Sequence, residues 1–203
     1  MSTFATLKAR VADELNKSNL TSQIATAVTR AIEFYADERL EFNEGRSTAT
    51  TTADNDYVTY PSGLRKADEV FATVGGRTYP LMRRDFDVLE HWHGASDSRG
   101  QPMDYAIRDG QLFIYPTPDQ AYTLTVTGIY DEAALSADTD TNGWCTGMPQ
   151  DLIVARAKFT IARDITIDDE MMRNARMAEV EALSRLRSET RRKISSRKVR
   201  PGW

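Results

Sequence analysis

Apolar residues recur at three- and four-residue spacing through the first part of the chain. Phe4, Leu7, Val11 and Leu15 share one face of a helix, and Ile24, Val28, Ile32 and Tyr35 share one face of a second. "NKSNLTS" interrupts the pattern with cap-forming residues, so Asn19 or Thr21 is placed to cap the second helix. That helix is expected to run toward Phe42 and to stop at "NEGR", with Gly45 in the left-handed position that follows a helix.

The period then changes. "STATTTADNDYVTYP" is rich in the Thr, Val and Tyr that strands favour. "DEVFATVGGRTYPLM" reads as a hairpin around Gly75-Gly76, and "MDYAIRDGQLFIYP" as a second around Asp109-Gly110. In "AYTLTVTGIY" Tyr122, Leu124 and Val126 face one way and Thr123, Thr125 and Thr127 the other. Between the hairpins, "DFDVLEHW" has the spacing of a short helix with Phe86, Leu89 and Trp92 on one side.

Helical spacing returns after the loop "DEAALSADTDTNGWCTGMP". Pro149 suits a first turn, and Leu152, Ile153, Ala157, Phe159 and Ile161 make a strongly apolar helix. Ile165 and Ile167 lead into a long helix rich in Ala, Arg and Glu. Its inner face is read as Met172, Ala175, Ala178, Ala182 and Leu186, and Asp168 to Glu170 complement its N-terminal dipole. It is expected to fray near Ser195-Ser196. The predicted fold class is α+β: a helical bundle from both chain ends (1–45 and 148–190), an inserted antiparallel β lobe with its connecting loop (46–147), and an extended basic tail (191–203).

Charge sharpens the last boundary. From Leu183 onward there are eight Lys and Arg against one acid, Glu189, on a chain whose net charge is −4. The rest is therefore strongly acidic, and the basic end is suited to an acidic partner. Within it, Ile194, Val199 and Trp203 are poor choices for solubility alone, which argues against a merely solvated end. No apolar run approaches the roughly 20 residues of a membrane span. The charged stretch "MSTFATLKARVADEL" does not read as a signal peptide, and Cys145 has no second cysteine to pair with, so a protein of a reducing compartment without membrane association is expected.

Catalytic chemistry finds little support. His91 and His93 in "EHWHG" would share a face on a strand and could bind a metal with Asp85, Asp87 or Glu90; on a helix they diverge. "DTDTNG" at Asp138–Gly143 imitates the start of a calcium loop, but its twelfth position is Pro149 where a bidentate Glu is required. A Cys145/His pair has nothing to position it. The acidic run "DITIDDE" is explained by a helix N-terminus. No phosphate-loop, dinucleotide, nucleophile-elbow or zinc-protease motif occurs. The expectation is no enzyme, no cofactor and no metal. Nucleic acid is the main competitor: six basic residues between Arg191 and Arg200 could neutralise phosphates, and Trp203 could stack on a base.

The helix pair "FATLKARVADELNKSNLTSQIATAVTRAIEFYADERLEFNE", the strand pair "YAIRDGQLFIYPTPDQAYTLTVTGIY" and the helix "GMPQDLIVARAKFTIARDI" resemble bacteriophage head-to-tail adaptor (connector, head-completion) proteins over most of the chain. The resemblance implies a structural virion protein of the head-tail interface, assembled in the bacterial host cytoplasm. It implies a homo-oligomeric ring, usually twelvefold, beneath the portal protein, with a tail, tail-tube or nozzle protein on its other side. Genomic DNA would pass through an acidic lumen without sequence-specific binding. Under that reading the segment holding Arg191, Arg192, Lys193, Ile194, Arg197, Lys198, Val199, Arg200 and Trp203 is the portal-docking arm. The alternative is a nucleic-acid-binding accessory protein that uses the same basic tail.

Overall fold

Thr3 starts the first helix. Its Oγ1 accepts from the Thr6 amide, and the Thr3 amide donates to Thr6 Oγ1 at 2.7 Å, a reciprocal capping box. The amides of Phe4 and Ala5 donate to the carbonyls of Asp140 and Asp138 at 2.8 and 3.0 Å, so a loop distant in sequence completes the first turn. The computed structural model describes residues 2–17, 19–95 and 98–197, with the backbone alone for residues 95 and 194–197. Helix α1 (Phe4–Leu15) buries the expected Phe4, Leu7, Val11 and Leu15 and ends at Asn16 in the left-handed conformation (φ 51°).

Helix α2 (Thr21–Tyr35) begins at Leu20 without a side-chain cap; Thr21 is already helical, and neither it nor Asn19 serves. The helix also stops well before Phe42. Asn43, buried, accepts from the Leu40 amide at 2.9 Å and donates to the Glu38 carbonyl at 2.8 Å, which folds the segment after Tyr35 into turns. Gly45 is no helix terminator: it lies inside the first strand, where an added Cβ would stand 2.8 Å from the Tyr130 ring.

The chain forms two units, residues 1–43 with those from Glu132 onward, and Glu44–Asp131. The loop after the last strand, expected with the β lobe, groups with the helices. Trp144 is 2% exposed and meets Phe42 edge-on at 4.8 Å, and Cys145 is fully buried in the same core. Helix α4 (Met148–Ile161), with Pro149 in its first turn, is buried on nearly every side by Leu152, Ile153, Val154, Ala155, Ala157 and Ile161. A π-helical turn at Ala162–Thr166 and a left-handed Ile167 (φ 50°, ψ 54°) separate it from helix α5 (Asp169–Arg197). Ala175, Glu179, Leu186 and Thr190 form the buried stripe of α5; Ala178 is exposed, and Glu179 stands beside it in the core.

The second unit is the expected β lobe. One sheet has the order β1 (Glu44–Thr50), β10 (Thr123–Tyr130), β3 (Leu64–Val74), β4 (Arg77–Pro80) and is antiparallel throughout. The other has the order β2 (Tyr57–Thr59), β8 (Gln111–Tyr115), β7 (Asp104–Arg108), β5 (Met82–Arg83). Two short pairings depart from the antiparallel expectation: β5 with β7, and β6 (Arg99–Gly100) with β9 (Thr117–Pro118), are parallel. Both hairpin turns fall where expected, with positive φ at Gly75 and Gly76 and at Asp109 and Gly110. Helix α3 (Phe86–Ala95) lies between β5 and β6 in sequence. Leu124 and Val126 join Leu64, Val70, Ala72, Tyr105, Leu112 and Ile114 in the core of the lobe.

The β3–β10 register shifts between Thr127 and Gly128, and there a Cβ on Gly128 would lie 2.0 Å from the Lys66 carbonyl oxygen. Backbone cannot yield as a side chain tip does. Gly128→Ala is therefore expected to destabilise the protein by about 3 kcal/mol in urea unfolding, whereas Gly94→Ala, in α3 and facing open space, is expected to be neutral or to stabilise by up to about 1 kcal/mol. Equal effects would contradict this account of the register shift.

Candidate functional site

The residues first considered for chemistry are not brought together into a site. His91 and His93 lie on α3 and so diverge. The His93 ring packs edge-on to Tyr115 at 5.2 Å, and its Nδ1 is 3.4 Å from Thr117 Oγ1. Trp92 packs on the same tyrosine at 5.1 Å. Of the carboxylates weighed as further ligands, Asp87 is 3.8 Å from Arg108, and Asp85 and Glu90 are exposed. Among the described residues, no three His, Cys, Asp or Glu are grouped to hold a metal ion.

In the calcium-like loop, Asp140 accepts from the amides of Ser136 and Ala137 at 2.8 and 2.7 Å and from the Ser136 hydroxyl at 3.1 Å, which holds its carboxyl below the usual range. Asp138 pairs with Lys8, and Asn142 accepts from the Trp144 amide at 3.0 Å. The motif is a turn that anchors α1. Burial pushes the Cys145 thiol up, away from the thiolate that nucleophilic chemistry needs.

The structure concentrates polar interactions on α5. Glu179 is 1% exposed. Its Oε1 accepts from Tyr35 Oη on α2 and from Arg156 Nη1 on α4 at 3.2 Å, and its Oε2 accepts from Arg176 Nη1 at 2.8 Å. A buried carboxylate is tolerable only with such partners. The Arg156 guanidinium also lies 3.7 Å from the centroid of the Phe34 ring. Burial, and then donation to Glu179, raise the Tyr35 phenol well above the ordinary tyrosine range. Further along, Arg187 meets Glu38 with two bonds of 2.7 and 2.8 Å, and these hold the Glu38 carboxyl below its usual range.

The basic end begins differently from the expectation of an extended tail from Arg191. Helix α5 continues through Arg197. Thr190 is buried, and Lys193 Nζ bonds to Glu41 at 2.8 Å and to Glu189 at 3.2 Å, so the last turns have tertiary anchors as well as helical propensity. The bonds to Glu41 and then Glu189 raise the Lys193 pKa. Arg191 and Arg192 are exposed. Ile194 and Arg197 are helical in backbone, their side chains outside the description; Lys198, Val199, Arg200 and Trp203 lie outside the described residues. Beside these turns is a cleft of about 310 Å³ bordered by Glu41, Phe42, Met148, Pro149, Leu186 and Lys193.

The sequence reading missed Glu179 and Phe34. A glutamate on a charged helix reads as solvent-facing. The available signal was its place four residues after Ala175 and three before Ala182, on the buried stripe. Phe34 was hidden because it lies off the core face of α2 and is largely exposed beneath Arg156. With Met177 and Val180 it is among the large apolar side chains exposed on this unit.

Against family models, the sequence matches the one described as SU10 adaptor protein over residues 2–202. A search of curated proteins returned no match.

The Glu179 network generates a pH-dependent expectation. Above pH ~10 the unfolded chain ionises its tyrosines, while folded Tyr35 keeps its proton. The folded state then binds more protons, so stability falls as pH rises through that region. Tyr35→Phe is expected to cost about 2 kcal/mol at pH 7 and to flatten that alkaline fall in denaturant unfolding. An unchanged alkaline slope would contradict the assignment.

Proposed function

This chain belongs to the SU10 adaptor protein family, a bacteriophage adaptor family, and from that membership we propose that it is one subunit of a ring, dodecameric in our reading, that joins the portal protein of the DNA-filled head to the tail. Its docking element is the basic end of α5 and the residues beyond it. The observation that carries the proposal is the anchoring of α5: a buried carboxylate, a two-bond Arg187–Glu38 pair and the Lys193 pairs hold a helix whose final turns carry exposed Arg191 and Arg192. A helix fixed in this way presents its end in a defined direction at little entropic cost. Beyond it, Val199 and Trp203 supply apolar anchors and Lys198 and Arg200 supply charge, the combination found at interface hot spots.

Lys193 takes a different part from its neighbours in this proposal. Its ammonium is already held by Glu41 and Glu189, so it serves the base of the arm and leaves portal contact to Arg191, Arg192, Arg197 and the residues after them. The opposite side of the ring meets a tail or nozzle protein, and genomic DNA passes through the lumen. A structural role of this kind asks no catalysis of the chain. No described helix is long and apolar enough to cross a membrane.

The test is co-purification with the portal ring encoded by the same genome, comparing the full chain with one ending at Arg197. That truncation leaves the Thr190 and Lys193 anchors in place. The expected result is retention of the full chain and loss of the truncated one. If both ignore the portal, and the full chain instead binds DNA with an affinity that falls steeply with salt, the arm is a phosphate binder and the proposal is wrong.

A further inference from the structure

Helices α2, α4 and α5 share a face built from arginines and exposed apolar side chains. Arg30 stands one turn before Phe34 on α2, and Arg173 one turn before Met177 on α5. Arg156 and Phe159 lie one turn apart on α4, with Arg163 in the π-helical turn that follows. The rings tie the face together. The Arg156 guanidinium is 3.7 Å from the Phe34 centroid, and those of Arg156, Arg163 and Arg176 are 5.4, 5.7 and 5.9 Å from the Phe159 centroid. Phe34, Val180 and Met177 are 58%, 56% and 72% exposed, and the first two line one cleft with Arg176. Phe, Met and Arg together are the composition of protein interface centres. Phosphate binding asks for the charge but not for Phe34, Met177 and Val180.

Part of this charge is unmatched within the subunit. Glu179 takes Arg156 and Arg176, and Asp164 takes two bonds from Arg163. Arg30 has the same Asp164 within electrostatic reach, a carboxylate already held. Arg173 is exposed and makes no ion pair among the described residues. The opposite pattern occurs on α3. That helix turns Leu89, Phe86 and Trp92 inward, onto Phe113 and Tyr115 of the β lobe. Its outer side carries Val88, 39% exposed, among the exposed carboxylates of Asp85, Asp87 and Glu90. Asp85 and Glu90 make no ion pair among the described residues, and Asp87 has only the 3.8 Å approach of Arg108. The dimensions agree: Arg173 and Val180 are about 10 Å apart along α5, and a ten-residue helix is about 15 Å long.

We propose that the arginine face of one subunit seats helix α3 of a second copy of this chain. Val88 packs on Phe34 and Val180, and Asp85 and Glu90 meet Arg30 and Arg173. The two surfaces are different, so the contact is head-to-tail and each copy offers one of each, the arrangement that closes into rings. The contact needs only two copies; as the joint of a ring it rests on the function proposed above.

The experiment places the photo-crosslinker p-benzoylphenylalanine at position 88 of the full chain and mixes it with ¹⁵N-labelled chains that lack it. After irradiation, mass spectrometry identifies the joined peptides, and the isotope marks those that come from another copy. The expected crosslinks join position 88 to ¹⁵N peptides containing Phe34, Met177 or Val180. Arg173→Glu in the ¹⁵N chain, at an exposed site, should lower the yield about tenfold, as loss of one close charge pair does. Adding Glu90→Arg to the crosslinking chain should restore it, which a merely misfolded variant would not allow. Crosslinks to other surfaces, none between copies, or a yield indifferent to Arg173→Glu overturn the proposal. So does Arg173→Glu abolishing salt-dependent binding to a short DNA duplex while no copies are joined, since the face would then be a phosphate binder. Copies joined as expected in a chain that ignores the portal would leave this contact standing and the portal-docking reading refuted. Portal binding without the crosslink would refute this contact alone.

Discussion

The helical unit depends on one buried charge. Glu179 sits where the 3.6-residue stripe of α5 calls for an apolar residue, and it is accommodated because Tyr35 and Arg156 reach it from α2 and α4 while Arg176 reaches it from its own helix. Leucine at this position would fill space without setting direction. A carboxylate with three donors fixes both the rotation and the register of α5 against its neighbours. The cost is conditional: the arrangement holds only while every partner is present, because one missing donor leaves a charge desolvated and unmatched.

From that constraint the charge asymmetry of the chain becomes intelligible. The acids that α5 meets on the body, Glu38 and Glu41, are spent on Arg187 and Lys193. They draw the lower part of a basic segment onto the unit and leave Arg191 and Arg192 exposed between and beside the pairs. The basic end is therefore divided into a part that anchors and a part that is available. The loop at 132–147 makes a similar contribution at the other chain end, where its carbonyls complete α1 and its Trp144 completes the core.

Much of this was legible in the sequence. The face of α1, the apolar character of α4, both hairpin turns, the alternation of β10 and the short helix around Trp92 followed from period and turn chemistry, because each is decided by neighbours in the chain. What escaped was decided by distant contacts. The end of α2 is set by the side chain of Asn43 closing back on Glu38 and Leu40, which overrides the helical spacing that continues to Phe42. Gly45 looked like a helix stop and is instead a strand residue under Tyr130. The loop preceding α4 looked like a tether for the β lobe, and one tryptophan commits it to the helices. The α5 end looked extended because it is polar and basic, yet a buried threonine and a shared lysine keep it helical through Arg197. At the candidate site, the basic composition of the chain end was plain from the sequence, whereas the anchorage of α5 through Glu179 was not, since a buried glutamate and an exposed one are the same letter.

The central claim is that the end of this chain seats in the portal of an assembled particle. It is most directly tested by placing a photo-crosslinking amino acid at position 199, producing virions that carry it, and identifying the crosslinked partner by mass spectrometry after irradiation. The account predicts crosslinks to the portal protein. Crosslinks confined to packaged DNA or to a tail protein would contradict it.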